Sequence, residues 1–108
     1  MTAAGSAGRD DKIVVRVDTD LRELIPGFLN NRRNDVTALL AALEQGDFET
    51  VRAMGHRLKG DGGGYGFDAI SEIGRGLEQA AKDRSQKEIK RRVGELAAYL
   101  DRIEVVYE

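Results

Sequence analysis

One residue of the 108 is a histidine, His56, so any chemistry that needs an imidazole rests on it. A neutral imidazole keeps an unprotonated ring nitrogen at cytoplasmic pH, which suits it to nucleophilic transfer of small groups. Whether it can act depends on where it points. An α-helix advances about 100° per residue, and with His56 at zero, Val51, Met54 and Leu58 fall at about 220°, 160° and 200°. The apolar face is therefore opposite the histidine. Arg52, Lys59, Gly60 and, if the helix persists, Gly63 lie within roughly 60° of it. The expectation is a solvent-facing imidazole with a cation one turn away. The missing side chains at 60 and 63 clear an approach for a bulky partner. The competing reading is a surface histidine with no task.

The glycine-rich run Gly60-Asp61-Gly62-Gly63-Gly64-Tyr65-Gly66 invites a phosphate-loop reading. A P-loop needs G-x-x-x-x-G-K-[ST], and no Lys-Ser or Lys-Thr follows these glycines. Gly64-Tyr65-Gly66-Phe67-Asp68-Ala69 fits G-x-G-x-x-A, but a dinucleotide site needs a buried strand before it, and the preceding residues have helical periodicity. Nucleotide binding is set aside on those grounds. Each glycine costs a helix interior about 1 kcal/mol relative to alanine, so propensity alone ends the histidine helix near Gly60 and leaves a loop.

The elements that must position His56 follow from composition and periodicity. The length suits one domain with one core. Cysteine is absent, which excludes disulfides, thiolate metal sites and a cysteine nucleophile. Seventeen Lys and Arg against 19 Asp and Glu give no net pull toward nucleic acid. The start MTAAGSAGRDDK has no apolar signal core, and no stretch approaches the roughly 18 apolar residues of a membrane span. The expectation is a cytoplasmic protein with no membrane or nucleic-acid partner, and a monomer. Residues 1–11 read as a flexible tail and 12–108 as the domain.

Ile13, Val15 and Val17 alternate with more polar positions as a short strand would, and Ile103 to Tyr107 repeat the pattern at the other end. Leu21, Leu24, Ile25, Phe28 and Leu29 form a helical stripe, within which Pro26 should kink the helix or confine regular structure to one side. Val36, Leu39, Leu40 and Leu43 continue to Gly46, a suitable residue just past a helix end, and Asp47 can cap the next helix. Val51, Met54 and Leu58 line that helix. Asp68 can cap a fourth, with Ile70, Ile73 and Leu77, and Ser85 a fifth, with Val93, Leu96 and Leu100. Short connections favour an all-α, up-and-down antiparallel four-helix bundle. An additional N-terminal helix segment precedes it, and the two terminal segments should pair as a small antiparallel ribbon. The expected core also takes in Leu24, Phe28, Leu40 and Leu43.

His56-Arg57-Leu58-Lys59-Gly60, with Gly66 ten residues after the histidine, resembles the phosphorylation motif of the histidine-containing phosphotransfer (HPt) domain family, H-x-L-K-G followed by a glycine at that distance. Leu40, Leu43 and the Gly46-Asp47-Phe48 break, and Leu77-Glu78 with Ala81, fall where that family places them, and the likeness covers about residues 20 to 103. The resemblance implies a four-helix bundle whose histidine helix runs on through Gly60 toward Gly64, against its propensity. It implies His56 as phospho-acceptor, Lys59 as the cation near the phosphoryl group, and Gly60 and Gly63 as access positions. Gly66 marks the turn into the next helix, and Arg52 is a further positioning candidate. Asp61 departs from the pattern, standing where the family commonly has Ser, Thr or Ala. At about 140° on the wheel it points away from the phosphoryl face and toward a neighbouring helix.

By the same resemblance the protein is a stand-alone phosphohistidine carrier between receiver domains of hybrid sensor kinases and response regulators. It would need no cofactor of its own, because Mg²⁺ comes from the receiver's acidic pocket. Nothing resembles an ATP-binding kinase domain. The rival readings are a domain phosphorylated directly by a kinase catalytic core, as in chemotaxis kinases, and a helical interaction module whose histidine is incidental.

Overall fold

The computed structural model describes residues 12–108, so the expected tail at 1–11 lies outside the described residues. Strand β1 (Ile13–Val17) leads through a 3₁₀ turn (Thr19–Leu21) into four helices, α1 (Ile25–Glu44), α2 (Phe48–Gly64), α3 (Asp68–Lys82) and α4 (Gln86–Arg102), and strand β2 (Ile103–Tyr107) follows without a loop. The all-α bundle and its terminal ribbon are as expected; several details differ.

The two stripes before Gly46 are one continuous helix. Pro26 sits in the first turn of α1, where its missing N–H would have had no partner, so of the two outcomes expected it confines the regular helix to the side that follows it. The additional N-terminal helix is therefore the start of α1, preceded by the 3₁₀ turn, which is closed by Asp18 Oδ1 accepting from the Asp20 N–H at 2.8 Å. Gly46 takes φ +67° after α1, and the Asp47 carboxylate caps α2 by accepting from the Thr50 N–H at 3.1 Å. Ser85 caps α4 in the same way. Asp68 does not cap α3: it occupies the first helical position, and Phe67 before it makes no side-chain cap.

The ribbon is parallel, not antiparallel, with Ile13 opposite Ile103 and Val17 opposite Tyr107. The turn after Asp18 uncouples the direction of β1 from that of α1, and the four helices together supply the long crossover that a parallel pair requires. Glu108 extends the pairing, its N–H donating to Val17 O at 3.0 Å and its carbonyl accepting from Thr19 N–H at 3.2 Å.

Val51, Leu58, Ile70, Leu77, Val93 and Leu96 are buried at the centre as expected. Leu24 and Leu40 are not core residues: they are 55% and 44% exposed. Leu24 precedes the first turn of α1, and the inward stripe of α1 is Ile25, Phe28, Arg32, Asp35, Leu39 and Ala42, which leaves Leu40 one residue, about 100°, off the buried line. Phe67 is fully buried from the α2–α3 turn, its ring 5.4 Å from that of Phe28, which also stacks on Tyr65 at 4.3 Å.

Helices α2 and α3 touch backbone to backbone. A Cβ on Gly55 would meet Glu78 N at 2.6 Å, one on Gly74 would meet Lys59 N at 2.5 Å, and one on Gly62 would meet Ser71 N at 2.6 Å. Three glycines thus remove the side-chain layer that normally holds packed helices 8–10 Å apart. This close approach lets Glu78 of α3 reach side chains of α2.

Candidate functional site

Helix α2 continues through the glycines to Gly64, as the resemblance implied and propensity opposed. Gly62 is buried against α3, so packing compensates for poor local propensity. The helix therefore carries His56, Lys59, Gly60 and Gly63 on one regular surface.

The His56 side chain is 68% exposed, on the face opposite Val51, Met54 and Leu58. Its Nδ1 lies 3.1 Å from Glu78 Oε2 on α3. The other carboxylate oxygen, Glu78 Oε1, lies 3.0 Å from Lys59 Nζ. One carboxylate thus bridges the imidazole and the ammonium across the helix pair. The Glu78 side chain is only 12% exposed. Its pKa is lowered from the ordinary 4.5, chiefly by the hydrogen bond from Lys59 and further by that from His56, against a desolvation that works the other way. An ionised carboxylate can only accept, so the proton of a neutral imidazole sits on Nδ1 and the lone pair on Nε2.

Around this trio the surface is bare. Nothing lies within 4 Å of a Cβ position on Gly60, and Gly63 would meet only Ser71 Oγ at 3.5 Å. Gly66, at φ +90°, turns the chain into α3. The Arg52 guanidinium forks onto Glu49 Oε1 at 2.7 and 3.1 Å, one turn back on the same helix, and the Glu78 carboxylate adds to the attraction that raises its pKa. Asp61 points away, as the helical wheel requires, and pairs with Arg32 of α1 at 3.5 Å. Arg32 also meets Asp35 at 2.9 Å, and Arg57 reaches Asp35 at 3.6 Å. Among the described residues no group of three or more His, Asp or Glu is arranged to hold a metal ion.

Glu78 is the residue that sequence reasoning did not single out as part of the site. It stands 22 positions from His56, and only the glycine contact at 55 and 74 brings the two together. The one signal for it was the Leu77-Glu78 pair noted in the resemblance.

The described residues thus form a helical bundle with a solvent-facing histidine, contacted by a carboxylate and flanked by a lysine. The family model for the Hpt domain matches residues 23–105, and the chain belongs to that family. Comparison with curated proteins and with solved structures gave no match. Hpt domains are phosphocarrier modules of phosphorelays, not kinases, and they work with receiver domains. No helix among the described residues is long and apolar enough to cross a membrane.

Proposed function

We propose that this chain carries a phosphoryl group on His56 between the receiver domain of a hybrid sensor kinase and that of a response regulator, in the cytoplasm. The observation that carries the reading is the Glu78 bridge, which leaves Nε2 of His56 unprotonated and facing solvent beside a cation. In the forward step Nε2 attacks the phosphorus of an aspartyl phosphate on the receiver. The N–P bond forms as the P–O bond to the aspartate breaks, and the aspartate leaves as a carboxylate. No proton needs to leave Nε2, and the positive charge gained by the ring is met by the Glu78 carboxylate at Nδ1. The return step reverses this toward a second receiver. Positioning and charge neutralisation carry most of such a transfer, with Mg²⁺ held by the receiver.

Lys59 offsets the phosphoryl charge from a position that Glu78 keeps in place. Gly60 and Gly63 leave room for the partner surface. The test is incubation with a phosphorylated receiver and Mg²⁺, and separately with ATP and a histidine kinase core. The expected result is one acid-labile, base-stable phosphate, transferred from the receiver, mapped to His56 and absent from His56→Gln. Labelling only by the kinase core would replace the relay reading with the direct-kinase one, and no labelling by either would overturn both.

A further inference from the structure

Away from His56, helices α1 and α4 leave a shallow apolar face between them. Leu40 is 44% exposed there, and Val36, Leu43 and Ala97 are half-buried beside it. Gly94, also on α4, is exposed and has open space where a side chain would be. The charges at its corners form a pattern. At one end Arg33 of α1 and Asp101 of α4 line one concavity with Val36 and Ala97. At the other end Glu44 of α1 and Lys87 and Lys90 of α4 line a second one with Leu40 and Leu43. None of these five charges has an ion-pair partner among the described residues, whereas Arg32, Arg52, Arg91 and Arg92 are all paired within the chain.

Signs alternate around the four corners: positive then negative along α1, and positive then negative along α4, which runs the other way. The two rails also match in length, since residues 33 to 44 and 90 to 101 each span about 16 Å of helix. A face with this alternation meets a copy of itself, turned over about either in-plane axis, with opposite charge at every corner. A two-fold interface demands just that self-complementarity, and the small residues Gly94 and Ala97 let the helices approach at its centre.

We propose that the α1–α4 face is a homodimer interface, its occupant a second copy of this chain, in contrast to the monomer expected from the sequence. The face is small, so the association belongs to the weak class, with a dissociation constant on the order of 10–100 µM. Because α2 carries His56 on a different face, both histidines stay open to partners.

Sedimentation of the full chain from about 10 µM to 1 mM tests this range. The expected result is a reversible monomer–dimer equilibrium. Leu40→Glu should weaken it by about tenfold or more, as for a central apolar contact, with helix content and the receiver-dependent labelling of His56 unchanged. Glu44→Lys, a surface change, should weaken it independently. A chain that stays monomeric throughout overturns the proposal and leaves the face to a different protein. A dimer that both variants leave intact overturns it as well, because the contact then lies elsewhere.

Discussion

Replacing Gly74 by alanine should destabilise the protein although alanine is the better helix former. The new Cβ would sit 2.5 Å from Lys59 N, 2.7 Å from Gly55 O and 2.8 Å from Leu58 Cβ, where ordinary contact begins at 3.4 Å. The shortfall is about 1 Å, and two of the three neighbours are backbone atoms that cannot rotate aside, so α2 and α3 must separate. Overpacking of this kind costs about 1–3 kcal/mol and the rigid neighbours put it at the upper end, while helix propensity returns about 1 kcal/mol. The net loss is about 2 kcal/mol, or roughly 8–16 °C in melting temperature for a domain of this size. The same separation lengthens the contacts from Glu78 to His56 and Lys59, so phosphoryl uptake from a receiver should slow as well. Gly94→Ala is the control, because nothing lies within 4 Å of its Cβ position; it should gain about 0.5–1 kcal/mol. Thermal and denaturant unfolding of the two variants decides the matter. A Gly74→Ala protein that melts above the wild type, as Gly94→Ala should, would refute the account of the α2–α3 contact.

Leu58→Ala should cost about 2–5 kcal/mol in denaturant unfolding, the range for a buried leucine; a cost below about 1 kcal/mol would place it outside the core. Gly60→Leu should keep or raise the melting temperature, since the position is open, yet slow labelling of His56 by about tenfold or more through obstruction. Unchanged labelling would remove the access role of that glycine. The Glu78 carboxyl is held below its ordinary 4.5 in the fold, so its contribution to stability is present above that pH and is lost as pH falls through the folded value. Glu78→Gln should therefore flatten the acid limb of a stability–pH profile below about pH 4.5; parallel wild-type and variant profiles would contradict the bridge.

The exposure of His56 and the burial of Val51, Met54 and Leu58 were legible because they depend on one helix and its fixed advance per residue. The caps at Asp47 and Ser85 were legible for the same local reason. Glu78 was not, because its place depends on how closely two helices approach, and that distance is set by Gly55, Gly62 and Gly74. Single-sequence propensity scores those glycines as helix breakers and cannot see them as contacts. Pro26 left two outcomes open, since a proline that kinks a helix and one that begins it look alike until the start of the helix is known. Leu24 and Leu40 extend apolar stripes on paper, yet α1 turns Ile25 and Leu39 inward instead. The ribbon's position at the joined ends followed from the alternating valines, but its direction depends on the turn after Asp18, which carries no periodic signal.

That direction has a mechanical consequence. In the parallel ribbon, Ile13 begins β1 at one end and Tyr107 finishes β2 at the other. Tension applied through those two residues would slide the strands past each other and load all the ladder's hydrogen bonds together. An antiparallel ribbon at the same place would be pulled open like a zipper, one bond at a time. The short clasp that closes this bundle is therefore in shear under end-to-end load, and resists extension more than its ten paired residues alone would imply.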